Sequence, residues 1–273
     1  MRSLSMRPRD YSLDGLCVYC RRDLSALSAE EVRDEHIIPR ALNGSLVIKG
    51  GACSTCTHIS DKSYQQAALD TDLLVARRLL EQKPSVKREP QPGRDLRPVA
   101  VERLAMPVAG SRGQQGDGAV PRRFSLVVFE QAGMLVGVDR TGDLKRMELQ
   151  LFDFGGHPND PGKPIRPQAP ILDGPFALML AKIAYCYAMA EFGERHFDAG
   201  SIRDLLFGRR RDVYNFVGNT PAAERLSQRQ LHGLYVRRRD EWLTVLVHLF
   251  ASCHSTAGRS DCRPYEVVVG RAL

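Results

Sequence analysis

Two Cys-x-x-Cys pairs, Cys17-Val-Tyr-Cys20 and Cys53-Ser-Thr-Cys56, enclose the turn Asp34-Glu35-His36-Ile37-Ile38-Pro39 near the start of the chain. No other feature restricts the fold as strongly. Each pair offers two thiolates from one tight turn, and four thiolates close a tetrahedral structural zinc site. A segment as short as residues 17–60 is too small to build an adequate apolar core, and a bound metal replaces one. Structural Zn²⁺ is therefore expected at Cys17, Cys20, Cys53 and Cys56. The gap from Arg21 to Ala52 exceeds the roughly 15–20 residues of the common zinc-ribbon spacing. It leaves room for a hairpin and a functional turn.

The seven cysteines are an odd number, which argues against a complete disulfide framework. The basic start, Met1 to Asp10, is not followed by the apolar run of a signal peptide. The longest apolar stretches, such as Phe176 to Ala181, are too short to span a bilayer. These features predict a reducing cytoplasmic setting with no membrane partner, where paired cysteines more often bind metal. Lys plus Arg number 39 against 32 Asp plus Glu, a net charge of +7. That excess suits a polyanionic partner, because each cation that meets a phosphate releases a counterion.

The predicted fold class is α+β. Residues 1–83 form a module with a basic arm carrying Arg2, Arg7 and Arg9. The Pro- and charge-rich residues 84–98 read as a linker, and residues 99–273 as a C-terminal α+β region whose role the sequence does not state. In the module, Ser60 or Asp61 is expected to cap a helix that runs to Pro84, with Leu69, Leu73 and Leu80 on one face. Further on, Phe124–Phe129 and Met134–Val138 predict a hairpin around Ala132-Gly133, and residues 155–175 a loop. Phe176 to Phe192 is apolar nearly all round and predicts a buried helix, with Cys186 a core residue. Trp242–Phe250 and Glu266–Val269 predict strands.

The knuckles together with the Asp34-Glu35-His36-Ile37-Ile38-Pro39 turn resemble the HNH endonuclease family, in particular its bacterial branch with an EHIIP turn, a CxxC knuckle and an amphipathic helix. The resemblance covers about residues 15–82. It implies a ββα-metal fold, a hairpin leading to a helix with one divalent cation between them. His36 would be the general base, its neutral imidazole taking a proton from the attacking water. Glu35 would ligate Mg²⁺ or Mn²⁺, which polarises the scissile phosphate. Ile37 and Ile38 would join hairpin to helix, and Pro39 would fix the turn. The family places a second metal ligand, Asn or His, just after the last knuckle cysteine. This chain has Thr57 there and His58 next, and Asn43 is the one candidate for the family's central Asn. Either His58 substitutes as the ligand, or the site holds its cation poorly and activity is low or lost.

Arg21, Arg22 and Arg40 are candidate phosphate contacts beside the knuckle and the turn, with Tyr19 near them. The runs Arg209–Arg211 and Arg237–Arg239 suit either phosphate contacts or solvated turns. Asp34 reads as a solvated neighbour of the turn, the alternative being a second carboxylate at the metal. His157, His196, His232, His248 and His254 show no paired spacing and read as structural or solvent-facing, and a second metal site from Cys253, His254 and Cys262 fits no established spacing. The expected activity is metal-dependent endonucleolytic hydrolysis of DNA, by analogy with phage-defence or restriction-like nucleases. The alternatives are a zinc-stapled nucleic-acid-binding protein that has lost cleavage, and a scaffold in which zinc serves folding alone.

Overall fold

Leu46-Val47-Ile48 is a β-prone run that ends in Gly50-Gly51, and it builds the centre of the N-terminal region. The computed structural model describes residues 9–82, 123–142, 148–153, 173–220, 230–253 and 263–273. Strand β3 (Leu46–Cys53) lies between β1 (Arg9–Tyr11), parallel to it, and β2 (Val32–His36), antiparallel to it. The β2–β3 register shifts between Arg33 and Glu35. Asp34 bulges out there, and its carboxylate accepts the Gly50 N–H at 2.8 Å and a Lys49 ammonium proton at 3.1 Å. Gly50 sits at φ +51, a conformation that glycine adopts without steric penalty.

Helix α1 (Ser54–Ser60) follows β3 directly, with Cys53 in extended conformation as its N-cap. It continues through a π turn (Asp61–Gln65) into α2 (Gln66–Asp70), and α3 (Leu74–Gln82) follows. The expected cap at Ser60 or Asp61 is therefore incorrect: the Asp61 N–H already bonds to the Thr57 and His58 carbonyls. The helix starts early because its first turn brings Cys56 back beside Cys53.

The expected hairpin around Ala132-Gly133 is also corrected. β4 (Arg123–Val128) pairs with β5 (Glu148–Asp153), and Phe124 stacks on Phe152 with ring centres 5.0 Å apart. Gly133–Val136 is a short helix, α4. The Asn215 side chain accepts the Arg140 N–H at 2.7 Å and curls the chain away from strand geometry.

Helix α5 (Asp173–Phe192) contains the expected Phe176–Phe192 segment and begins three residues earlier. After it come β6 (Phe197–Asp198), α6 (Gly200–Leu206), α7 (Val213–Phe216) and β7 (Val217–Asn219). Strands β8 (Gly233–Arg239), β9 (Trp242–His248) and β10 (Tyr265–Ala272) then form an antiparallel sheet in the order β6-β10-β9-β8, with β7 also on β10. The chain is thus mixed α+β. α5 is buried between this sheet and the N-terminal elements, and apolar side chains from Tyr11 to Leu80 and from Phe124 to Val269 form a single core. Of the sequence-based expectations, Arg2 and Arg7, residues 84–98, His157, His254 and Cys262 lie outside the described residues, as does nearly all of the 155–175 loop.

The turn after His36 is held tightly. Ile37, Ile38 and Leu42 are fully buried, and a 3₁₀ turn (Arg40–Leu42) ends at Asn43 in the left-handed region, φ 60. A Cβ on Gly44 would overlap the Ile38 carbonyl. Gly44→Ala is therefore expected to lower stability by about 1–3 kcal/mol, measured as a fall in the urea midpoint.

Candidate functional site

The four knuckle sulfurs converge. Each lies within 4.8 Å of the others. Cys17 and Cys20 place their Sγ atoms 3.8 and 3.9 Å from Cys53 Sγ. Zn–S bonds of about 2.3 Å in a tetrahedron require sulfurs about 3.8 Å apart, whereas a disulfide needs about 2 Å. The first knuckle is closed by a left-handed Arg21, whose N–H bonds to the Cys17 carbonyl at 3.0 Å. Val18 N–H bonds to Gly51 O at 2.8 Å, tying this knuckle to β3. The Cys53 N–H donates to Cys17 Sγ at 3.3 Å. Hydrogen bonding with Cys56 is the main cause that brings the Cys17 thiol down to about 4, against its burial, while the same contact pushes Cys56 up. Four crowded thiols cannot all ionise without a cation among them, and a bound metal lifts that restriction. The geometry and the donor chemistry therefore both fit a structural metal ion such as zinc. Among the described residues this is the single such cluster of three or more His, Cys, Asp or Glu donors.

A second feature, an open cleft, lies between β2 and the α1–α2 helix. One wall is Asp34, Glu35, His36, Pro39, Arg40 and Ala41; the other is Thr57, Asp61, Gln65 and Leu69, with Lys182 at the base. Thr57, Asp61, Gln65 and Leu69 recur every four residues, which puts them on one helix face. His36 is half-buried. Burial, then the charges of Arg40 and Lys182, hold its pKa below the ordinary histidine value, so the imidazole is neutral at pH 7. Its Nδ1 is screened from solvent and has no hydrogen-bond partner. Asp61 is shifted upward by burial first and by the Glu35 charge second, and its carboxylate accepts the Gln65 amide at 2.5 Å.

Glu35 is buried, and its carboxylate lies 2.5 Å from the Lys182 ammonium. Lys182 also donates to the His36 carbonyl at 2.5 Å and the Ile37 carbonyl at 3.4 Å. Burial is the largest single influence and works against its charge, but Glu35, Cys186 and Asp61 together outweigh it and the net shift is upward. Neighbours on the same α5 face grip the knuckle: Tyr185 donates to the Val18 carbonyl at 2.5 Å, and Cys186 donates to Tyr19 Oη at 3.6 Å.

Of the remaining expected site residues, Arg40 is exposed on the cleft rim. His58 is exposed and Asn43 is exposed, and neither lines the cleft. His58 points outward because it follows Thr57 by one residue, about 100° around the helix. The cation site expected from Glu35 and His58 is thus not assembled: one donor is held by an ammonium and the other lies off the cleft. Arg21 is paired with Glu194 at 2.8 Å and Tyr19 is buried, so neither is presented to a ligand. Arg22 is exposed beside the knuckle. Arg237 and Arg239 both pair with the buried Glu266, at 2.7 and 3.0 Å, and Arg210 pairs with Asp212 at 2.6 Å.

Sequence reading missed Lys182 and Asp61. A lone Lys inside an otherwise apolar helix was the available signal, because a buried ammonium requires a partner. Asp61 becomes visible only once the helix is phased from Cys53.

No protein-family model, curated protein or solved structure matches the chain. The HNH likeness rests on the motif residues themselves. No helix among the described residues is long and apolar enough to cross a membrane.

His232 joins the C-terminal sheet to the turn that follows His36. It accepts the Phe250 N–H at its Nδ1, 3.2 Å, so its Nε2 carries the proton and donates to the Leu42 carbonyl at 2.7 Å. Burial lowers its pKa to about 4. In the unfolded chain the value returns to about 6.5. Stability is therefore complete above about pH 6.5 and falls as pH drops through the window down to about 4, by about 3 kcal/mol in all. Urea midpoints measured from pH 7 to pH 4 should show this decline, and His232→Gln should flatten it.

Proposed function

We propose that the protein binds nucleic acid, DNA foremost, and hydrolyses its phosphodiester bonds in the cleft between β2 and α1, as HNH-type nucleases do. The observation that supports this most directly is the placement of His36: a half-buried imidazole, held neutral at pH 7, that lines an open cleft. Water adds to phosphorus as His36 takes its proton, the bond to the leaving oxygen breaks, and that oxygen is protonated from solvent. The resulting imidazolium is stabilised by the charges of Glu35 and Asp34. Arg40 meets the non-bridging phosphate oxygens at the rim. The net charge of +7 favours the encounter. Zinc at the four cysteines holds the first knuckle against β3 and α1 and does no chemistry.

The cation expected at Glu35 and His58 does not fit this geometry, and no step here passes through it. A second reading is favoured by Thr57 standing where a ligand is expected: a zinc-stapled protein that binds DNA without cutting it. Incubating the zinc-loaded full chain with supercoiled plasmid, with and without Mg²⁺ or Mn²⁺, separates the two. Nicking that disappears in His36→Ala supports hydrolysis. Salt-dependent retention of DNA with no nicking under any condition supports binding alone, and the absence of both rejects both.

A further inference from the structure

We infer that Lys182 is the fixed cation of the cleft and a positioning residue for the His36 turn, and that Glu35 is its counter-ion and not a ligand for a divalent metal. This deepens the site reading above, and its test does not depend on cleavage.

Three observations lead there. The Lys182 side chain is 1 % exposed and that of Glu35 6 %, at 2.5 Å from one another, so each neutralises a charge the other cannot bury alone. All three ammonium protons have acceptors: the Glu35 carboxylate and the carbonyls of His36 and Ile37. Lys182 therefore clamps strand β2 at the residue that carries the imidazole, and it is not free to bind substrate itself. Finally, the other donors near Glu35 are wholly or partly occupied, or turned away. Both Asp34 oxygens accept hydrogen bonds, from Gly50 and Lys49, one Asp61 oxygen accepts from Gln65, and His58 lies outside the cleft. A divalent ion at Glu35 would sit beside an ammonium of like charge, which opposes its binding.

The arrangement also assigns a task to the C-terminal region. Its central helix supplies the charge that completes the N-terminal site, through a residue 146 positions away from His36.

Mn²⁺ binding to the zinc-loaded full chain, followed by electron paramagnetic resonance, tests this together with urea unfolding. Glu35→Gln should leave Mn²⁺ affinity within twofold of the parent, including the case in which neither binds. Lys182→Met leaves the buried Glu35 carboxyl without its counter-ion and should unfold at a lower urea midpoint than the parent. The double variant Glu35→Gln/Lys182→Met should unfold at a higher urea midpoint than either single variant, because it leaves no unpaired buried charge. If Lys182→Met does not fold while the double variant does, that outcome also supports the pairing. A tenfold or greater loss of Mn²⁺ affinity in Glu35→Gln overturns the inference. So does a double variant no more stable than the singles. A protein that never cuts DNA leaves both readouts intact, so failure of the hydrolase reading and failure of this one are distinguishable.

Discussion

Exchanging Cys53 for Ser in the full chain is expected to cost the protein its N-terminal fold. Cys53 ends β3, caps α1 and lies 3.8 and 3.9 Å from the two sulfurs of the first knuckle. Structural zinc contributes on the order of 10 kcal/mol of folding free energy in small modules. A whole domain is stable by only about 5–15 kcal/mol. Losing one ligand therefore removes a term comparable with the total. The loss spreads, because Tyr19, Val18 and Glu35 of this region are gripped by Cys186, Tyr185 and Lys182 of α5. Zinc content, circular dichroism and protease sensitivity should change together in Cys53→Ser, and in the parent treated with a strong chelator. A variant that unfolds at the parent's midpoint, with no zinc in either protein, would rule the staple out.

The second large effect is expected at His36. A positioned general base accelerates proton transfer by about 10²–10⁴-fold, so His36→Ala should slow plasmid nicking by that factor. The side chain is half-buried on a strand edge and has no protein partner at Nδ1, so little stability is lost with it. The variant should unfold close to the parent, which separates lost chemistry from lost fold. Burial, Arg40 and Lys182 hold the imidazole pKa down, so the base takes up its proton at a lower pH than an ordinary histidine. The acid limb of the pH–rate profile should then lie below pH 6.5, the ordinary histidine value. An unchanged rate in His36→Ala would reject the assignment outright.

The parts of this fold that are legible in sequence are those set by short-range spacing. Two CxxC pairs bring four sulfurs together, and a mostly apolar run from Phe176 becomes the buried α5. What stays hidden depends on partners far along the chain. Arg21 looks like a phosphate contact until Glu194 takes it, and Arg237 and Arg239 until Glu266 does. Helix phase is the other source of error. Starting α1 at Ser60 instead of Ser54 hides the face that Thr57 and Asp61 share, and makes His58 look like a natural ligand. Glu35 illustrates the first problem: its neighbours in sequence suggest a metal, and only α5 reveals an ammonium.

The register shift at Asp34 makes the N-terminal region unequally sensitive to changes in length. Removing one residue from Lys49-Gly50-Gly51 would slide Cys53 along β2 and turn its sulfur to the opposite face, because strand side chains alternate. The stretch from Ser25 to Glu30 is largely exposed and precedes β2 without touching its pairing. A change in length should therefore cost less stability between the first knuckle and β2 than in the short bulge that aligns the four cysteines with the cleft.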